Sequence, residues 1–227
     1  IKKDLQNLAN PEKAKFLSRY FKTGEGEYGH GGVFLGITVP KQRKVAKKFR
    51  NAGFDDLQKL LQSNVHEYRF TALEILNFKY EKADDLGKKK IIDFCLKNIK
   101  SINNWDLVDT FAPYVFGHFL KDKNKRILYK MAKSKSLWER RIAIISTLAF
   151  IKDNLFEDSL RISEILLNDK HDLIHKAVGW TLREIGKKDR KTEEEFLKKY
   201  HKKMPRTMLR YALEHFDKNK KAIYMKK

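Results

Sequence analysis

Apolar residues recur at helical spacing along nearly the whole chain, and this pattern constrains the fold more than any other feature. They fall at i, i+3, i+4 and i+7 in nearly every segment, and almost no segment alternates with period two. The first spacing builds one buried stripe along a helix, whereas the second would build a strand with one buried face. The sequence therefore predicts an all-α protein. Helices are expected over residues 11–22, 40–51, 55–63, 66–81, 86–100, 104–120, 123–133, 136–152, 156–167, 172–187, 192–202 and 205–216.

A weak internal repeat indicates how these helices are organised. HEYRFTALEIL at 66–76 resembles WERRIAIISTL at 138–148, with Arg69 matching Arg140 at a spacing of 71 residues. Half of that spacing is close to the length of one helix pair, and HDLIHKAVGWTLREIG at 171–186 falls about one such step after the second copy. Helix pairs repeating at this period stack into an α-solenoid, a superhelix that curves around a groove. An irregular helical bundle with chance similarity is the alternative.

The charge balance favours a polyanionic partner. The 227 residues include 50 Lys and Arg against 29 Asp and Glu, a formal net charge of +21 at pH 7. A surplus of this size attracts polyanions and releases their counterions on contact, so nucleic acid is the first partner to consider. A lysine-rich composition that serves only solubility is the alternative. The length suits one sizeable domain or two small ones, and we expect one domain over residues 1–227.

Cysteine usage and hydropathy give expectations about the compartment. Cys95 is the one cysteine and lies in the apolar run IIDFCLKNI, so we expect a small packed hydrophobe in a reducing, intracellular setting. No stretch approaches the about 18 uninterrupted apolar residues of a membrane span, and the start IKKDLQNLAN lacks the apolar core of a secretion signal. We therefore expect a cytoplasmic protein. The start at Ile1 rather than at methionine is consistent with removal of residues upstream.

The stretch NNWDLVDTFAPY, residues 103–114, holds an indole and two carboxylates in a chain crowded with lysine. On a helix, Trp105 and Asp109 are one turn apart and share a face, whereas Asp106 points elsewhere and can serve the positive helix N-terminus. Asp109 is therefore the candidate for chemistry. The alternative is that both aspartates are helix-start residues and Trp105 packs in the core. The buried stripe of this helix is expected to comprise Leu107, Val108, Phe111 and Val115.

Two further segments combine cations with an indole or a helix start. In KAVGWTLREIG, Lys176, Trp180 and Arg183 fall at i, i+4 and i+7, so a second indole lies in a stripe of positive charge. An indole flanked by cations on a solvent face is typical of nucleic-acid contacts. WERRIAIISTL has Arg140 and Arg141 on the opening turn of another helix. One of them can bind phosphate with its planar guanidinium, while the other braces the helix.

Patterns for metal, nucleotide or nucleophile chemistry are missing from the sequence. The seven histidines are dispersed without HExxH spacing or paired cysteines, and no Ser–His–Asp or Cys–His system is supported. The glycine-rich loop GEGEYGHGG at 24–32 lacks the GxxxxGKS/T and GxGxxG patterns. It is expected to be a flexible connector from which Tyr28 and His30 could reach a ligand. We therefore expect no metal, no cofactor, and chemistry that uses a carboxylate.

Seven sequence blocks, taken in order, resemble the DNA alkylation repair family of HEAT-like-repeat glycosylases, the AlkD-type enzymes. The blocks are FKTGEGEYG, VFLGITVP, HEYRFTALEIL, NNWDLVD, WERRIAI, KAVGWTLRE and MPRTMLRYALEHF, and the match runs from about residue 10 to residue 216. The resemblance implies an α-solenoid of HEAT-like repeats that wraps duplex DNA in a concave basic groove. It implies removal of N3- and N7-alkylated purines that carry a positive charge. The chain departs from the family pattern at His30, Gly32 and His118, where acidic residues are common.

Residue roles also follow from the resemblance. Asp109 matches the second acid of the family's W-D-x-x-D block and is implied as the catalytic carboxylate. Trp105 and Trp180 are implied as indoles that flank the backbone of the damaged nucleotide, and Arg141 as a phosphate contact. The partner is then double-stranded DNA containing alkylated purines, bound by a monomer. Further phosphate contacts that position the duplex are expected from Lys176, Arg183, Arg140, Arg206 and Arg210.

The implied reaction needs little from the enzyme. Ordinary glycoside hydrolysis uses one carboxyl group to protonate the leaving group and a second as base or nucleophile. A purine alkylated at N3 or N7 is already cationic, so one carboxylate that stabilises positive charge on the sugar and aligns water suffices. Two alternatives remain open. One is a non-catalytic HEAT-repeat protein that binds damaged or branched DNA, and the other is a helical-repeat scaffold that binds a peptide.

Overall fold

The computed structural model describes residues 1–226, which fold into helices joined by turns. No strand forms among these residues, and the one strand-like pairing found in them is an isolated bridge between Val33 and Val65. The all-α class predicted from the apolar spacing is confirmed. The α-helices are α1 (Lys2–Gln6), α2 (Pro11–Tyr20), α3 (Val39–Lys48), α4 (Phe54–Leu61), α5 (His66–Lys82), α6 (Asp85–Lys97), α7 (Trp105–Phe111), α8 (His118–Leu120), α9 (Arg126–Ala132), α10 (Leu137–Ser146), α11 (Leu148–Lys152), α12 (Glu157–Ile165), α13 (Asp172–Lys188), α14 (Arg190–Tyr200), α15 (Arg206–Ala212) and α16 (Lys218–Met225).

The chain forms two compact units. One runs from Ile1 to Phe111 and holds α1 to α7, and the other begins at Ala112 and holds the later helices. In the first unit α5 packs against α3, α4 and α7, and in the second α13 packs against α10, α14 and α15. Each unit is therefore organised around one helix of 17 residues. The single domain expected over residues 1–227 stays a prediction.

The repeat noticed in the sequence reappears as a shared local geometry. Nη1 of Arg69 donates to the carbonyl oxygen of Ser63 at 2.7 Å, and Nη1 of Arg140 donates to that of Ser134 at 3.0 Å. Each arginine thus reaches six residues back along the chain. The two serine side chains also accept the backbone N–H two residues further on. Arg69 and Arg140, which the sequence comparison aligned, are therefore equivalent in structure.

The third copy of the repeat begins in the same way with other residue types. The carbonyl oxygen of Asp169 lies 2.5 Å from Nε2 of His175, again six residues on. The carboxylate of Asp169 accepts the backbone N–H of His171 at 2.8 Å, as the two serines do in their copies. Three helix starts therefore share one contact, in which a side chain reaches the carbonyl oxygen six residues earlier, and we name it the fold-back contact. The sequences of the three copies agree only weakly.

The helix predicted over 104–120 is broken in the structure. After α7 the chain makes a π-helical turn, Pro113–Gly117, before the short α8. Pro113 has no N–H to donate, which disfavours regular α-helical hydrogen bonding at this point. A Cβ at Gly117 would lie 2.2 Å from the carbonyl oxygen of Ser146, so glycine allows a close approach to α10. The prediction failed here because a tertiary contact overrides the periodic pattern.

A second predicted helix, over 136–152, is also interrupted. It divides at Thr147 into α10 and α11, and the Thr147 hydroxyl donates to the carbonyl oxygen of Ile144 at 2.7 Å. Such a side-chain bond competes with the helical ladder. Two helices at the ends of the described chain, α1 and α16, were not predicted at all.

A buried carboxylate fastens the FLGI segment to α5. Glu67 is 1% exposed and accepts the backbone N–H groups of Leu35, Gly36 and Ile37, at 2.9, 2.8 and 3.2 Å. Gly36 has φ +79°, and a Cβ there would lie 2.1 Å from the carbonyl oxygen of Asn10. Three charge-assisted hydrogen bonds therefore hold the FLGI segment, and position 36 within it requires glycine.

A second buried carboxylate lies on α14 in the other unit. Glu193 is 0% exposed, and its Oε2 lies 3.0 Å from Nη1 of Arg190. Within the described chain its Oε1 has no hydrogen-bond partner. Burial raises the pKa of Glu193 to about 8, although the charge of Arg190 opposes this rise. The folded protein therefore retains a proton on this residue at neutral pH.

Glu193 is expected to make stability fall with rising pH. The unfolded chain releases this proton near pH 4.5 and the folded protein near pH 8, so the free energy of unfolding decreases across that range. The decrease from this group is at most about 1.4 kcal/mol per pH unit. Glu193→Gln should remove this contribution to the slope and stabilise the protein by about 4 kcal/mol at pH 8. Urea unfolding at several pH values measures it, and the exposed Glu195→Gln is the matched control. An unchanged slope in Glu193→Gln would contradict the assignment.

Candidate functional site

Helix α7 carries the indole and the carboxylate that were predicted to do the chemistry. The backbone carbonyl of Asn104 accepts the N–H of Val108 at 3.1 Å and begins the helix directly before Trp105. Trp105 and Asp109 are both half-buried and lie one turn apart on this helix. The predicted buried stripe is confirmed, because each of its members is 0% exposed: Leu107, Val108, Phe111 and Val115.

Asp106 serves the helix N-terminus, as predicted, and also holds a histidine. Its Oδ1 accepts the N–H of Leu107 at 2.8 Å, and its Oδ2 lies 2.7 Å from Nε2 of His66. His66 is 2% exposed on the first turn of α5, so this bond joins α7 to α5. Asp106 is therefore committed to structure, which is consistent with assigning the chemistry to Asp109.

An aromatic cluster that the sequence reading missed holds the Trp105 ring. The indole stacks on Phe21 with centroids 5.2 Å apart, and it meets Tyr20 edge-on at 6.0 Å. Phe21 stacks in turn on Phe34 at 5.0 Å, and Phe34 stacks on His66 at 4.6 Å. Each such pair contributes about 0.5–1.5 kcal/mol beyond its buried area. The indole orientation is therefore fixed by packing. In the sequence, the adjacent aromatic residues Tyr20 and Phe21 were the local sign of this cluster.

The cationic stripe predicted on α13 has acids beside its cations. Nζ of Lys176 lies 2.6 Å from Oδ2 of Asp172, and Arg183 pairs with Glu184 and Glu214. Burial alone would raise the pKa of Asp172, but the hydrogen bond and charge of Lys176 hold it below its ordinary value. The expected stripe of positive charge is therefore a network of opposite charges, and phosphate would compete with these carboxylates.

Trp180 is half-buried in the middle of α13. Its Nε1 donates to Oε1 of Glu184 at 3.2 Å. The preceding residue, Gly179, allows α15 to approach closely, because a Cβ there would lie 2.5 Å from the carbonyl oxygen of Met208. The second indole is thus carried on a helix whose position is fixed by tight packing.

Arg140 and Arg141 are both engaged inside the protein. Nε of Arg140 lies 2.6 Å from Oδ2 of Asp169, and its Nη1 donates to the carbonyl oxygens of Ser134 and Lys135. Arg141 is 5% exposed, and its Nη1 donates to the carbonyl oxygen of Leu173 at 2.5 Å. Arg140 therefore braces its helix start, as one of the two was predicted to do.

Arg206 and Arg210 on α15 are exposed. Nη1 of Arg206 donates to the carbonyl oxygen of Met225 at 2.7 Å, and Nη2 of Arg210 donates to the Thr207 hydroxyl at 3.3 Å. Neither contact neutralises the guanidinium charge, because carbonyl and hydroxyl oxygens carry no formal charge. These two arginines therefore present positive charge to solvent.

A pocket of about 320 Å³ lies in the first unit, and we name it the loop pocket. Its walls are the glycine-rich loop, the first turns of α5 and the segment before α7. Tyr28 and His30, which were expected to be able to reach a ligand, both line it. The other lining residues are Gly29, Gly31, Gly32, Phe34, Leu61, Gln62, Ser63, Asn64, His66, Arg69, Lys100, Ser101, Asn103 and Asn104.

The glycine-rich loop is tied by its own hydrogen bonds. The N–H of Gly29 donates to the carbonyl oxygen of Lys22 at 2.9 Å, and the Glu27 carboxylate accepts the N–H of Gly24 at 2.9 Å. A Cβ at Gly29 would lie 2.3 Å from the carbonyl oxygen of Phe21, so the turn requires glycine there. The loop is thus a pocket wall held by hydrogen bonds, where the sequence predicted a flexible connector from which Tyr28 and His30 could reach a ligand.

Neither a metal centre nor a membrane span is formed by the described residues. Within residues 1–226, no group of three or more His, Cys, Asp or Glu side chains is arranged to hold a metal ion. No helix in this described stretch is long and apolar enough to cross a membrane. Cys95 is 1% exposed, and burial raises the pKa of its thiol, so it packs as a small hydrophobe, as predicted.

Comparison with known proteins adds a family and a fold. The family model described as DNA alkylation repair enzyme matches residues 1–216. A predicted DNA alkylation repair enzyme from Enterococcus faecalis is similar in structure with a TM-score of 0.71 at 20% identity, covering 92% of this chain and 97% of that one. The crystal structure of smu.31 from Streptococcus mutans UA159 gives a TM-score of 0.56 at 20% identity, covering 90% and 98%. No curated protein matches.

Proposed function

This chain belongs to the DNA alkylation repair enzyme family, and from that premise we propose that it is a DNA glycosylase of base excision repair. It hydrolyses the N-glycosidic bond of N3- and N7-alkylated purines in duplex DNA. The observation that carries the proposal is the pairing of Trp105 with Asp109 on one face of α7, the indole being fixed by packing. Asp106, the neighbouring acid, is occupied by His66.

In the proposed mechanism Asp109 acts alone as the catalytic carboxylate. Its negative charge stabilises the oxocarbenium-like sugar as the bond to the cationic purine breaks, and it aligns the attacking water. Trp105 offers its π-face to the charged nucleotide, an attraction of up to about 2 kcal/mol when water is excluded. No general acid is needed, because the alkylated base leaves as a neutral molecule.

The remaining contacts to DNA are proposed from the family resemblance and from charge. Trp180 flanks the damaged nucleotide's backbone. Arg141 can contact phosphate only if its guanidinium, which is buried and bonded to the carbonyl oxygen of Leu173, becomes exposed. Arg206 and Arg210 are supported as phosphate contacts by their exposure and unneutralised charge. Lys176, Arg183 and Arg140 can join them only by exchanging a carboxylate partner for phosphate.

Fold details that go beyond the all-α class are part of the same proposal. The repeated fold-back contact of Arg69, Arg140 and His175 supports HEAT-like repeats. The expected monomeric state and cytoplasmic location stay predictions. A non-catalytic protein that binds damaged or branched DNA is the second candidate, because a net charge of +21 suits DNA binding without requiring chemistry.

Base release from alkylated DNA tests the proposed function. The protein, in excess, is incubated with a duplex carrying a single 7-methylguanine and with the same duplex unmodified. Abasic sites are then converted to strand breaks and resolved by length. Breaks at the lesion alone support the glycosylase. Tight binding without any breaks across several alkyl lesions would favour the non-catalytic DNA-binding protein.

Salt dependence separates a DNA-binding surface from a peptide scaffold. If about five phosphates are contacted, the logarithm of the DNA association constant should fall with log salt at a slope of about −4.5. Arg206→Gln and Arg210→Gln should each make this slope shallower by about 1, because each removes one phosphate contact. Arg161→Gln, an exposed arginine on α12 paired with Glu157, is the control. Fluorescence anisotropy measures the slopes, and weak binding that ignores salt would support the scaffold instead.

A further inference from the structure

We propose that the loop pocket is a binding site for a phosphate group, which the positive charges of Arg69 and Lys100 hold. The site lies wholly within the first unit and does not include Asp109 or Trp105. It is a second anion site, independent of the glycosylase activity proposed above.

Two buried polar groups on the wall of the loop pocket have no hydrogen-bond partner in the described chain. Arg69 is 7% exposed; its Nη1 donates to the carbonyl oxygen of Ser63, while its Nε is buried and unpartnered. His66 is 2% exposed, and its Nδ1 is likewise buried without a partner. Nε2 of His66 donates to the Asp106 carboxylate, so its Nδ1 offers a lone pair and does not call for an acceptor. Buried polar atoms in proteins nearly always have partners, so the guanidinium of Arg69 is the group beside the pocket that lacks an acceptor.

The second copy of the repeat shows what such a ligand would replace. Arg140 makes the same fold-back contact as Arg69, and the carboxylate of Asp169 closes its Nε edge, at 2.6 Å from Nε and 3.5 Å from Nη2. Arg69 has the equivalent position and fold-back contact but no such carboxylate partner. An oxyanion in the loop pocket would supply beside Arg69 the negative charge that Asp169 supplies beside Arg140.

The carboxylates nearest to Arg69 are already committed elsewhere. Glu67 accepts three backbone N–H groups, and Asp106 holds His66 and the N–H of Leu107. Burial lowers the pKa of Arg69, while the charges of Asp106 and Glu67 oppose this. The guanidinium nevertheless stays protonated at neutral pH. None of the residues lining the pocket is acidic, so the pocket has a net positive character.

The rest of the pocket suits a phosphate group rather than a metal or an apolar ligand. Lys100 adds a second cation, and Ser63 and Ser101 add hydroxyl groups. Gly31 has φ +75°, and a Cβ there would meet nothing within 4 Å, so the loop backbone is open at this point. Free phosphate and a DNA phosphodiester share this chemistry.

Nitrogen-15 NMR of the arginine Nε–H groups in the full-length protein tests the proposal. Inorganic phosphate is titrated in one series and an undamaged duplex in another, and the Arg69 signal is identified by its loss in Arg69→Lys. We expect this signal to shift and saturate.

Lys100→Ala should weaken the binding about tenfold, since it removes a charge-assisted bond. Lys97→Ala, an exposed lysine on α6 outside the pocket, should leave it unchanged. If Arg69→Lys does not fold, the Arg69 Nε–H signal of the unsubstituted protein is assigned by through-bond correlation. Lys100→Ala then serves as the variant that tests the site.

The two series distinguish the sources of the phosphate group. A shift with inorganic phosphate identifies a site open to the free anion, and a shift with the duplex alone identifies a phosphodiester site; either supports the proposal. An Arg69 signal that neither probe moves in the folded protein overturns it. So does equal weakening in Lys97→Ala and Lys100→Ala. Because no lesion is present and no base is released, failure here leaves the proposed glycosylase untouched, and loss of glycosylase activity would leave this site standing.

Discussion

Asp109→Asn is expected to slow the release of 7-methylguanine and 3-methyladenine from duplex DNA by about 10²- to 10³-fold. The amide keeps the size of the side chain but removes the charge that stabilises the developing cation, and losing one such electrostatic contact typically costs that much. Affinity for undamaged duplex should change by less than about twofold, because the carboxylate makes no favourable contact with phosphate. Single-turnover kinetics with excess protein measure the first quantity, and anisotropy measures the second.

The matched control for this variant is Asp56→Asn. Asp56 is an exposed acid on α4 in the same unit, so its substitution changes the total charge equally without touching α7. It should retain full activity. Full activity in Asp109→Asn would remove this residue from the mechanism, and equal losses in both variants would show that total charge matters rather than position.

Glu67→Ala is expected to lower the free energy of unfolding of the first unit by about 3–5 kcal/mol. The substitution strands the N–H groups of Leu35, Gly36 and Ile37 in a site where each unsatisfied group costs about 1–3 kcal/mol. Glu67→Gln keeps one acceptor oxygen and should have a smaller effect. Urea unfolding gives the free energies, and amide hydrogen exchange at residues 35–37 reports the loss locally.

Glu81→Ala provides the comparison for Glu67. Glu81 is exposed near the end of the same helix, so its truncation should change stability by less than about 0.5 kcal/mol. If the Gly36 amide stayed protected from hydrogen exchange in Glu67→Ala, the Glu67 carboxylate would not be what holds the FLGI segment against α5.

The sequence could predict those features of the fold that depend on neighbours within one helix. The apolar spacing indicated an all-α chain, and Leu107, Val108 and Phe111 are buried as their positions on α7 required. Pro113 was a local signal for the break after α7, but the close approach at Gly117 could not be predicted, because its cause is a backbone in α10 that lies about 30 residues away in sequence. Local periodicity carries no information about which helix will come that close.

The candidate site shows the same division. Trp105 and Asp109 could be singled out because they are one turn apart in sequence, and Asp106 could be assigned to the helix start for the same reason. The bond from Asp106 to His66 joins residues 40 positions apart, and stacking of Trp105 on Phe21 spans more than that. Such pairs leave no pattern in a single sequence.

The internal repeat could be predicted only in part. Aligning Arg69 with Arg140 correctly identified two equivalent positions, and both side chains make the same contact six residues back. What differs is the partner of the arginine Nε, which is Asp169 in one copy, whereas no group of the described residues bonds it in the other. Sequence comparison finds the similarity, whereas the structure is needed to find the difference.

The claim that one carboxylate suffices because the substrate is already a cation is tested most directly by identifying released bases. The protein is incubated with a pool of duplexes that carry 7-methylguanine, 3-methyladenine or uracil, and the free bases are measured by mass spectrometry. The account predicts release of both methylated purines and retention of uracil, which is neutral and would need help to leave. Release of uracil at a similar rate, or of no base at all, would contradict it.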